Sequence, residues 1–162
     1  MLLHTNDRKK DVFYGLKINR PMVFIPWDIK ENEFIEMFKN HNIRKVVEKN
    51  YFIEDVDFLN EKNCNMGVAF KETLYEISFS RQNYNGYDGL IKSFENFQIS
   101  LEKAYGKPNK RKEVLINFES CEWNINKKIK IFHYVIDRFG LEEHLCIENT
   151  TPVSRTDMTQ GH

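Results

Sequence analysis

The chain has 162 residues and a mass of 19.5 kDa, and 24 Lys and Arg residues balance 24 Asp and Glu residues to a formal net charge of zero. Hydrophobic residues make up 41% and aromatic residues 14%, which excludes intrinsic disorder, and no run approaches the roughly 18 apolar residues of a membrane span. The balanced charge argues against nucleic-acid binding, because phosphate affinity needs surplus Lys and Arg. Zero net charge also permits a homodimer.

The cysteines and the amino terminus predict the compartment. The first ten residues carry charge where a signal peptide would be apolar. The chain has three cysteines, Cys64, Cys121 and Cys146, and none of them is in a C-x-x-C motif. An odd count without that motif is typical of free thiols in a reducing compartment. We therefore expect a cytoplasmic protein without a cofactor. Residues 1–149 are predicted to form a single α+β domain, followed by a polar C-terminal tail over 150–162.

The first third of the chain predicts a strand, a helix and a second strand. Residues 15–25 become an apolar run and indicate one strand, bent at Pro21. Asp28 followed by Glu31 resembles a capping box and predicts a helix that ends near Asn40. The apolar stripe of this helix is Ile29, Phe34, Ile35 and Phe38.

The next segment contains a predicted hairpin. Residues 43–58 are ambiguous, with a short strand over 43–47, and residues 59–65 indicate a loop. Apolar and polar residues then alternate on both sides of a turn placed at 72–73. The facing pairs predicted by that turn are Phe70 with Tyr75, Val68 with Ile77, and Met66 with Phe79.

The strongest predicted element is a long helix that ends at Gly106, with Pro108 forbidding continuation. Its apolar stripe is Leu90, Phe94, Phe97, Leu101 and Tyr105. Three strands follow, over 114–125, 128–137 and 142–148. The predicted order is β-α-β-β-β-α-β-β-β. Short connections favour antiparallel pairing, so we expect an α+β two-layer sandwich, with two amphipathic helices on one face of an antiparallel sheet.

The last hairpin carries the main candidate site. A two-residue turn at 140–141 would place three polar pairs across the two strands: His133 with Glu148, Asp137 with His144, and Arg138 with Glu143. The same register puts four apolar residues on the core face: Tyr134, Ile136, Leu145 and Ile147. The other face would then carry the polar pairs, with Val135 and Cys146 between the two histidines.

Two His–carboxylate pairs on one face have a chemical meaning. A carboxylate orients a neutral imidazole or raises the pKa of a protonated one, and an oriented imidazole is what a general base requires. Two simpler interpretations stay open: a solvated face with compensating polar pairs, or a metal shared by both histidines and Cys146. Ile129 and Ile131 share the parity of His133, which indicates either a β-bulge or a face that is partly buried.

Other candidates are weaker. Trp123 is either a core or edge aromatic or a ligand-stacking residue. Lys and Arg residues concentrate over 103–130, which indicates a solvated loop or a phosphate-bearing ligand. The sequence contains no P-loop, no G-x-G-x-x-G, no G-x-S-x-G and no H-E-x-x-H motif. Familiar hydrolase, kinase and dinucleotide chemistries therefore lack their signatures.

Three features over residues 94–148 carry a resemblance: a helix ending in Gly-Lys-Pro at 106–108, the Glu-Trp pair at 122–123, and the hairpin containing Asp137-Arg-Phe-Gly. In these features the chain resembles small uncharacterised bacterial α+β proteins of the toxin-immunity type. The resemblance implies a cytoplasmic protein that blocks a toxin through a protein–protein interface. Immunity proteins that block nucleases are often strongly acidic, whereas this chain is neutral, so it does not imply an acidic nuclease-mimicking face.

We therefore expect a non-enzymatic protein-binding module whose partner is a protein, with toxin neutralisation as its function. The predicted binding residues are His133, Asp137, Arg138, Glu143, His144, Glu148 and Trp123, together with Trp27 as a second aromatic edge. One alternative is a small enzyme or phosphate-ligand-binding domain that uses His133 and His144 as acid–base groups. Another is a structural subunit that dimerises through a sheet edge.

Overall fold

The computed structural model describes residues 11–81, 85–115 and 118–150. Within these ranges two α-helices and ten β-strands are defined. The first half contains β1 (Gly15–Ile18), β2 (Val23–Pro26), α1 (Glu31–Met37), β3 (Ile43–Val47), β4 (Asn50–Phe58), β5 (Glu61–Phe70) and β6 (Leu74–Ser80). The second half contains α2 (Gly86–Tyr105), β7 (Lys110–Leu115), β8 (Phe118–Asn124), β9 (Ile129–Asp137) and β10 (Leu141–Asn149). The predicted C-terminal tail beyond residue 150 lies outside the described residues.

Eight strands form one antiparallel sheet in the order β3-β4-β5-β6-β10-β9-β8-β7, and β1 pairs with β2 in a separate hairpin. The α+β class with a large antiparallel sheet and two helices is thereby confirmed. The last strand, β10, joins the meander β3–β6 to the meander β7–β10 and so lies at the centre of the sheet. Neither described helix is long and apolar enough to cross a lipid bilayer.

Side chains alternate between two faces of the sheet, which we call the inner face and the outer face. One inner row crosses six strands and consists of Ile53, Met66, Phe79, Leu145, His133 and Cys121. The neighbouring outer row consists of Phe52, Gly67, Ser78, Cys146, Phe132 and Glu122. Apolar residues of both helices and of the β1–β2 hairpin join the inner-face residues in one buried cluster.

Helix α2 follows its prediction. All five residues of the predicted stripe are buried, and Gly106 ends the helix with φ of 84°, where its N–H donates to the carbonyl of Glu102 at 2.8 Å. The positive φ explains the glycine at this position. Helix α1 begins later than predicted. Its cap is Lys30, whose backbone N–H donates to the Glu33 carboxylate at 3.0 Å, and not Asp28.

The structure divides several predicted segments. Residues 15–25 form two strands that turn around a cis Arg20–Pro21 bond. Within the predicted strand over 114–125, residues 114–115 belong to β7 and residues 118–124 to the separate strand β8. The predicted loop over 59–65 is wrong beyond a tight turn, since β5 begins at Glu61. The polar residues of that segment had the composition of a loop. Some of them, such as Asn65, lie on the outer face of a strand.

The β5–β6 hairpin has the predicted register over most of its length. Met66 pairs with Phe79 and Val68 pairs with Ile77, as expected. Phe70 pairs with Leu74 and not with Tyr75, because the register shifts by one residue next to the turn.

The β9–β10 register differs from its prediction by three residues, so that His133 lies opposite Leu145 and not Glu148. The turn spans residues 138–140, with φ of 66° at Phe139 and 122° at Gly140, and the Arg138 N–H donates to the Gly140 carbonyl at 3.1 Å. A shift by an odd number of residues moves every β10 side chain to the other face relative to β9. Tyr134 and Ile136 consequently lie on the outer face, whereas Leu145 and Ile147 are in the core as predicted.

Candidate functional site

The structure distributes the predicted binding residues over three environments. Three of them are buried on the inner face, with exposed fractions of 0% for His133 and 1% each for Glu143 and Trp123. His144 and Glu148 are half-buried on the outer face, Asp137 is exposed beside the turn, and Arg138 is exposed within the turn. The structure therefore does not assemble them into one polar face.

The three predicted cross-strand pairs are wrong. Glu148 lies opposite Lys130, Asp137 lies opposite Leu141, and Arg138 is in the turn itself. The cause is the turn, which spans residues 138–140 and not 140–141: it holds one residue more than expected and begins two residues earlier. One His–carboxylate pair forms in a different combination, since His133 and Glu143 are diagonal neighbours on the inner face with 3.0 Å between Nε2 and Oε2.

Both tryptophans that were proposed as binding aromatics are core residues. The Trp123 indole N–H donates to the Gly106 carbonyl at 2.7 Å, beyond the end of α2. Trp27 is 4% exposed, and its N–H donates to the Val12 carbonyl at 2.8 Å. Each indole thereby has its polar atom satisfied inside the protein, which is the usual condition for burying tryptophan. The prediction of an accessible Trp123 is therefore wrong.

A buried polar network lies between α2 and the inner face, and we call it the inner network. It consists of Glu61, Arg81, Ser93, Gln98, Ser100, His133 and Glu143. Its members come from β5, the end of β6, α2, β9 and β10. Because they are so far apart in the sequence, no local pattern indicated the network.

One half of the inner network surrounds Arg81. Its guanidinium forms an ion pair with Glu61 and donates to the Ser93 hydroxyl at 2.9 Å. Ser100 donates to the other oxygen of Glu61 at 2.9 Å. Burial opposes the charge on Arg81, but the hydrogen bond and the charge of Glu61 outweigh it and hold the pKa of Arg81 above its ordinary value. The guanidinium also lies 5.2 Å from the ring centroid of Phe97.

The other half surrounds His133. Its ring stacks on Phe94 with 4.0 Å between centroids and meets Phe97 edge-on at 5.4 Å. Nδ1 lies 2.7 Å from the Gln98 amide oxygen, and Nε2 lies 3.0 Å from the Glu143 carboxylate. Glu143 also accepts from the Ser93 hydroxyl at 2.8 Å, which joins the two halves.

The imidazole of His133 is neutral at pH 7. Burial lowers its pKa below the ordinary value, although the hydrogen bond and the charge of Glu143 act in the opposite direction. A neutral ring that donates from Nε2 to Glu143 must accept at Nδ1. When the Gln98 amide is rotated by half a turn about its terminal bond, its NH2 group lies at Nδ1 of His133 and can donate to it. The rotation also gives a partner to the amide nitrogen, which is otherwise unpaired and buried within the described residues.

The inner network has the properties of a structural element. Its histidine is completely covered, so His133 does not meet a substrate in this conformation. Apart from the Gln98 amide nitrogen, Arg81 Nε is the one side-chain nitrogen or oxygen that is buried without a hydrogen-bond partner in the described residues. Buried polar networks whose atoms are largely paired rigidify a core and fix one arrangement of its elements. We therefore assign His133 and Glu143 to the positioning of α2 on the sheet.

The outer face carries a different histidine environment. His144 stacks on Tyr134 with 5.8 Å between ring centroids, and its Nε2 lies 3.1 Å from a Glu142 oxygen. The side chain of His144 is 23% exposed, and that of Glu142 is 37% exposed. Further along the same face, the Arg44 guanidinium lies 5.0 Å from the ring centroid of the half-buried Phe52.

The outer face also brings a thiol and two carboxylates together. Ligand atoms of Glu76, Cys146 and Glu148 lie within 4.8 Å of one another, so these residues are the candidates for holding a metal ion. Burial, followed by the nearby carboxylates, raises the pKa of Cys146, and burial and Glu148 raise the pKa of Glu76. The proposed metal set of His133, His144 and Cys146 is not assembled, because His133 lies on the opposite face from the other two.

A groove of about 560 Å³ lies between α2 and the β7–β8 hairpin. Phe94, Gln98, Phe118 and Cys121 form its floor, and Glu113 and Glu119 lie at its rim. The sequence analysis missed it, because it merged β7 and β8 into one strand. The alternation of Arg111 with Glu113 and of Glu119 with Cys121 was the available signal for a charged hairpin face.

Comparison of the chain with protein-family models, with curated proteins and with solved structures finds no match.

Proposed function

We propose that the protein is a non-enzymatic protein-binding module that uses the outer face of its sheet. The observation that carries this proposal is the set of half-buried aromatic and polar side chains on that face. Phe52, Phe132 and Tyr134 are all half-buried there, whereas the inner-face rings are covered. The proposal includes the predicted two-layer arrangement, in which both helices cover the inner face and leave the outer face for a partner; the shared buried cluster of helix and inner-face residues supports it.

The chemistry of the outer face suits a protein partner. Aromatic and arginine side chains are enriched where protein interfaces bury most of their binding energy, and polar groups form the rim. Tyr134 and the Arg44–Phe52 pair supply the aromatic and arginine side chains. Lys130 and Glu148, which are Cα partners across β9 and β10, supply charges of both signs. This mixture of rings and charges favours contact with the surface of another folded protein over contact with a purely apolar surface.

An enzyme that uses both histidines receives no support from the geometry. Acid–base catalysis by His133 and His144 needs both imidazoles at one cleft, yet they lie on opposite faces of the sheet. The phosphate-binding alternative is weakened because basic residues of the 103–130 segment lie near carboxylates. Lys107 lies 3.8 Å from Glu102, and Lys110 lies 3.8 Å from Glu122.

A dimer through a sheet edge is also disfavoured by the charges of the edge strands. The outermost strands are β3, which carries Arg44 and Lys45, and β7, which carries Lys110, Arg111 and Lys112. Basic side chains on an edge strand are a common device against edge-to-edge pairing. Both edges have the same sign, so they repel one another.

Within this proposal, the resemblance to proteins of the toxin-immunity type supports a toxin as the partner. A neutralising protein needs only a stable surface that covers its target, and the outer face offers such a surface without catalytic groups. The neutral chain favours a contact made by mixed charges and aromatic rings over an acidic mimic of nucleic acid.

The experiment is affinity purification of the tagged protein from its source cells, with two matched variants. Tyr134→Ser alters the outer face, and Tyr14→Ser alters a tyrosine that is 72% exposed elsewhere. We expect one stoichiometric protein to be retained by the wild type and by Tyr14→Ser, and to be lost by Tyr134→Ser. Recovery of no stoichiometric protein, or equal retention by both variants, contradicts the binding proposal.

The toxin part has its own test. The retained protein is expressed alone and then together with the wild type or with Tyr134→Ser. We expect growth arrest that the wild type relieves and the variant does not. A partner that is harmless alone contradicts toxin neutralisation and leaves the binding module standing.

A further inference from the structure

We propose that the groove between α2 and the β7–β8 hairpin binds a small organic cation, with an ammonium or guanidinium group on an apolar body. The groove lies on the helix side of the sheet, so this inference is independent of the outer-face proposal. It rests on the volume of the groove, on its apolar floor and on an excess of carboxylates at its rim.

The floor of the groove is apolar and firmly held. Phe94 is 5% exposed and Phe118 is 2% exposed, and the two rings meet edge-on with 5.5 Å between centroids. Phe94 is fixed from behind by its stacking on His133. Ile99, which is 51% exposed, adds an apolar wall that is open to an occupant. A volume of about 560 Å³ falls within the range of about 300–1,000 Å³ that holds drug-sized ligands.

The rim carries unbalanced negative charge. Glu113 and Glu119 are direct Cα partners across β7 and β8, and like charges at such positions destabilise a sheet. Glu95 adds a third carboxylate from α2. Arg111 is the single cation of the lining, so three carboxylates and one guanidinium give a formal net charge of −2.

The guanidinium of Arg111 is already engaged. It pairs with Glu102 on α2 and lies 3.3 Å from Glu119. Within residues 11–81, 85–115 and 118–150, neither Glu95 nor Glu113 has an ion-pair partner. An ammonium or guanidinium placed between them would offset the repulsion, and an apolar body would cover the exposed side chain of Ile99. A neutral ligand gains only the second contact, and an anion is repelled.

Gln98 connects the groove to the inner network. It lines the groove and hydrogen-bonds Nδ1 of His133 at 2.7 Å. An occupant that packs on Gln98 therefore changes the environment of a buried imidazole it never touches. This contact provides a second readout. The nuclear magnetic resonance signals of the His133 ring protons should shift when the groove is occupied, and not when a cation binds to carboxylates elsewhere on the protein.

The experiment uses 2-phenylethylamine as the probe, with 2-phenylethanol and 3-phenylpropionate as the neutral and anionic analogues. Affinities are measured by calorimetry at pH 7 and low salt, and the His133 ring is followed by nuclear magnetic resonance. We expect the amine to bind about 10-fold more tightly than the alcohol, and the carboxylate not to bind. We also expect the His133 signal to shift with the same saturation curve, and the affinity for the amine to fall as salt is added.

Two matched variants locate the site. Glu113→Gln removes one rim charge at constant size, and Glu54→Gln removes an exposed charge on β4. We expect Glu113→Gln to weaken binding of the amine by about 5-fold and Glu54→Gln to leave it unchanged. Equal binding of amine and alcohol, equal affinities of the two variants, or no binding of the amine overturns the proposal. A lysine- and phenylalanine-containing heptapeptide that binds where the amine does not also overturns it, since the occupant is then a protein segment.

Discussion

His133 and His144 lie on neighbouring strands of one hairpin, each beside a glutamate, yet they occupy opposite environments. The His133 side chain is fully covered and belongs to a network that spans five elements, whereas the His144 side chain is 23% exposed and meets Glu142 and Tyr134 at the surface. The same pair of residue types therefore holds the core on one face and presents polar groups on the other. The difference shows that the face of the sheet, and not the residue pair, determines the role.

The largest effect is expected at the ion pair of the inner network. Arg81→Ala leaves the Glu61 carboxylate buried without its cation, which typically costs about 3–5 kcal/mol. The free energy of unfolding, measured by urea denaturation, should fall by about that amount. The double variant Arg81→Met, Glu61→Leu removes both charges and should recover most of the loss. If the single variant is as stable as the wild type, the inner network does not hold the core.

The two adjacent glutamates of β10 offer a sharper comparison. Glu143→Ala leaves the donors of Ser93 and His133 buried without an acceptor, so we expect a loss of about 3 kcal/mol. Glu142→Ala, on the outer face, should change the free energy of unfolding by less than about 0.5 kcal/mol. The same denaturation experiment checks both. Equal losses would show that the two faces are energetically alike.

The pH dependence of stability reports the inner histidine. Because burial lowers the pKa of His133 in the folded protein, the unfolded chain binds the proton more readily. Its contribution to stability is complete above the ordinary value of 6.5 and declines as the pH falls from there toward the lower folded pKa. We expect His133→Gln to flatten this slope, measured as the melting temperature from pH 7 to pH 5. His144→Gln is the control, and an unchanged slope in His133→Gln contradicts the assignment.

The smallest effect concerns the thiol of the outer face. Cys146 is 9% exposed, and burial and two neighbouring carboxylates raise its pKa, so little reactive thiolate forms. We expect slow alkylation by iodoacetamide at pH 8, and Glu148→Gln should accelerate it by roughly 3-fold. The modified residue is identified by peptide mass spectrometry. Cys121, which is 1% exposed on the inner face, should not respond to this substitution.

The elements that depend on local sequence were predictable. A stripe of large apolar residues and a terminal glycine predicted helix α2. Alternation of apolar and polar residues on both strands predicted the β5–β6 hairpin. The last hairpin was not predictable in register, because one additional residue in the turn moves every β10 side chain to the other face. The shared parity of Ile129, Ile131 and His133 indicated either a β-bulge or a partly buried face, and the structure agrees with the second alternative, since all three side chains are buried.

The candidate sites depended on contacts between distant segments. Arg81 meets Glu61 across 20 positions and Ser93 meets Glu143 across 50, so no spacing rule links them. The groove depends on the pairing of β7 with β8, whereas one strand was predicted over these residues. The outer face combines residues of at least six strands. Phe52, Phe132 and Tyr134 can therefore be placed on one face only when the strand order is known.

We propose that the outer face binds a protein partner. Hydroxyl-radical footprinting of the purified complex tests it most directly, since aromatic and methionine side chains are oxidised in proportion to their exposure. We expect a bound partner to lower oxidation of Phe52, Phe132 and Tyr134 and to leave that of Tyr14 and Met22, which are 72% and 82% exposed, unchanged. Protection of Tyr14 and Met22 without protection of the three outer-face rings would contradict it.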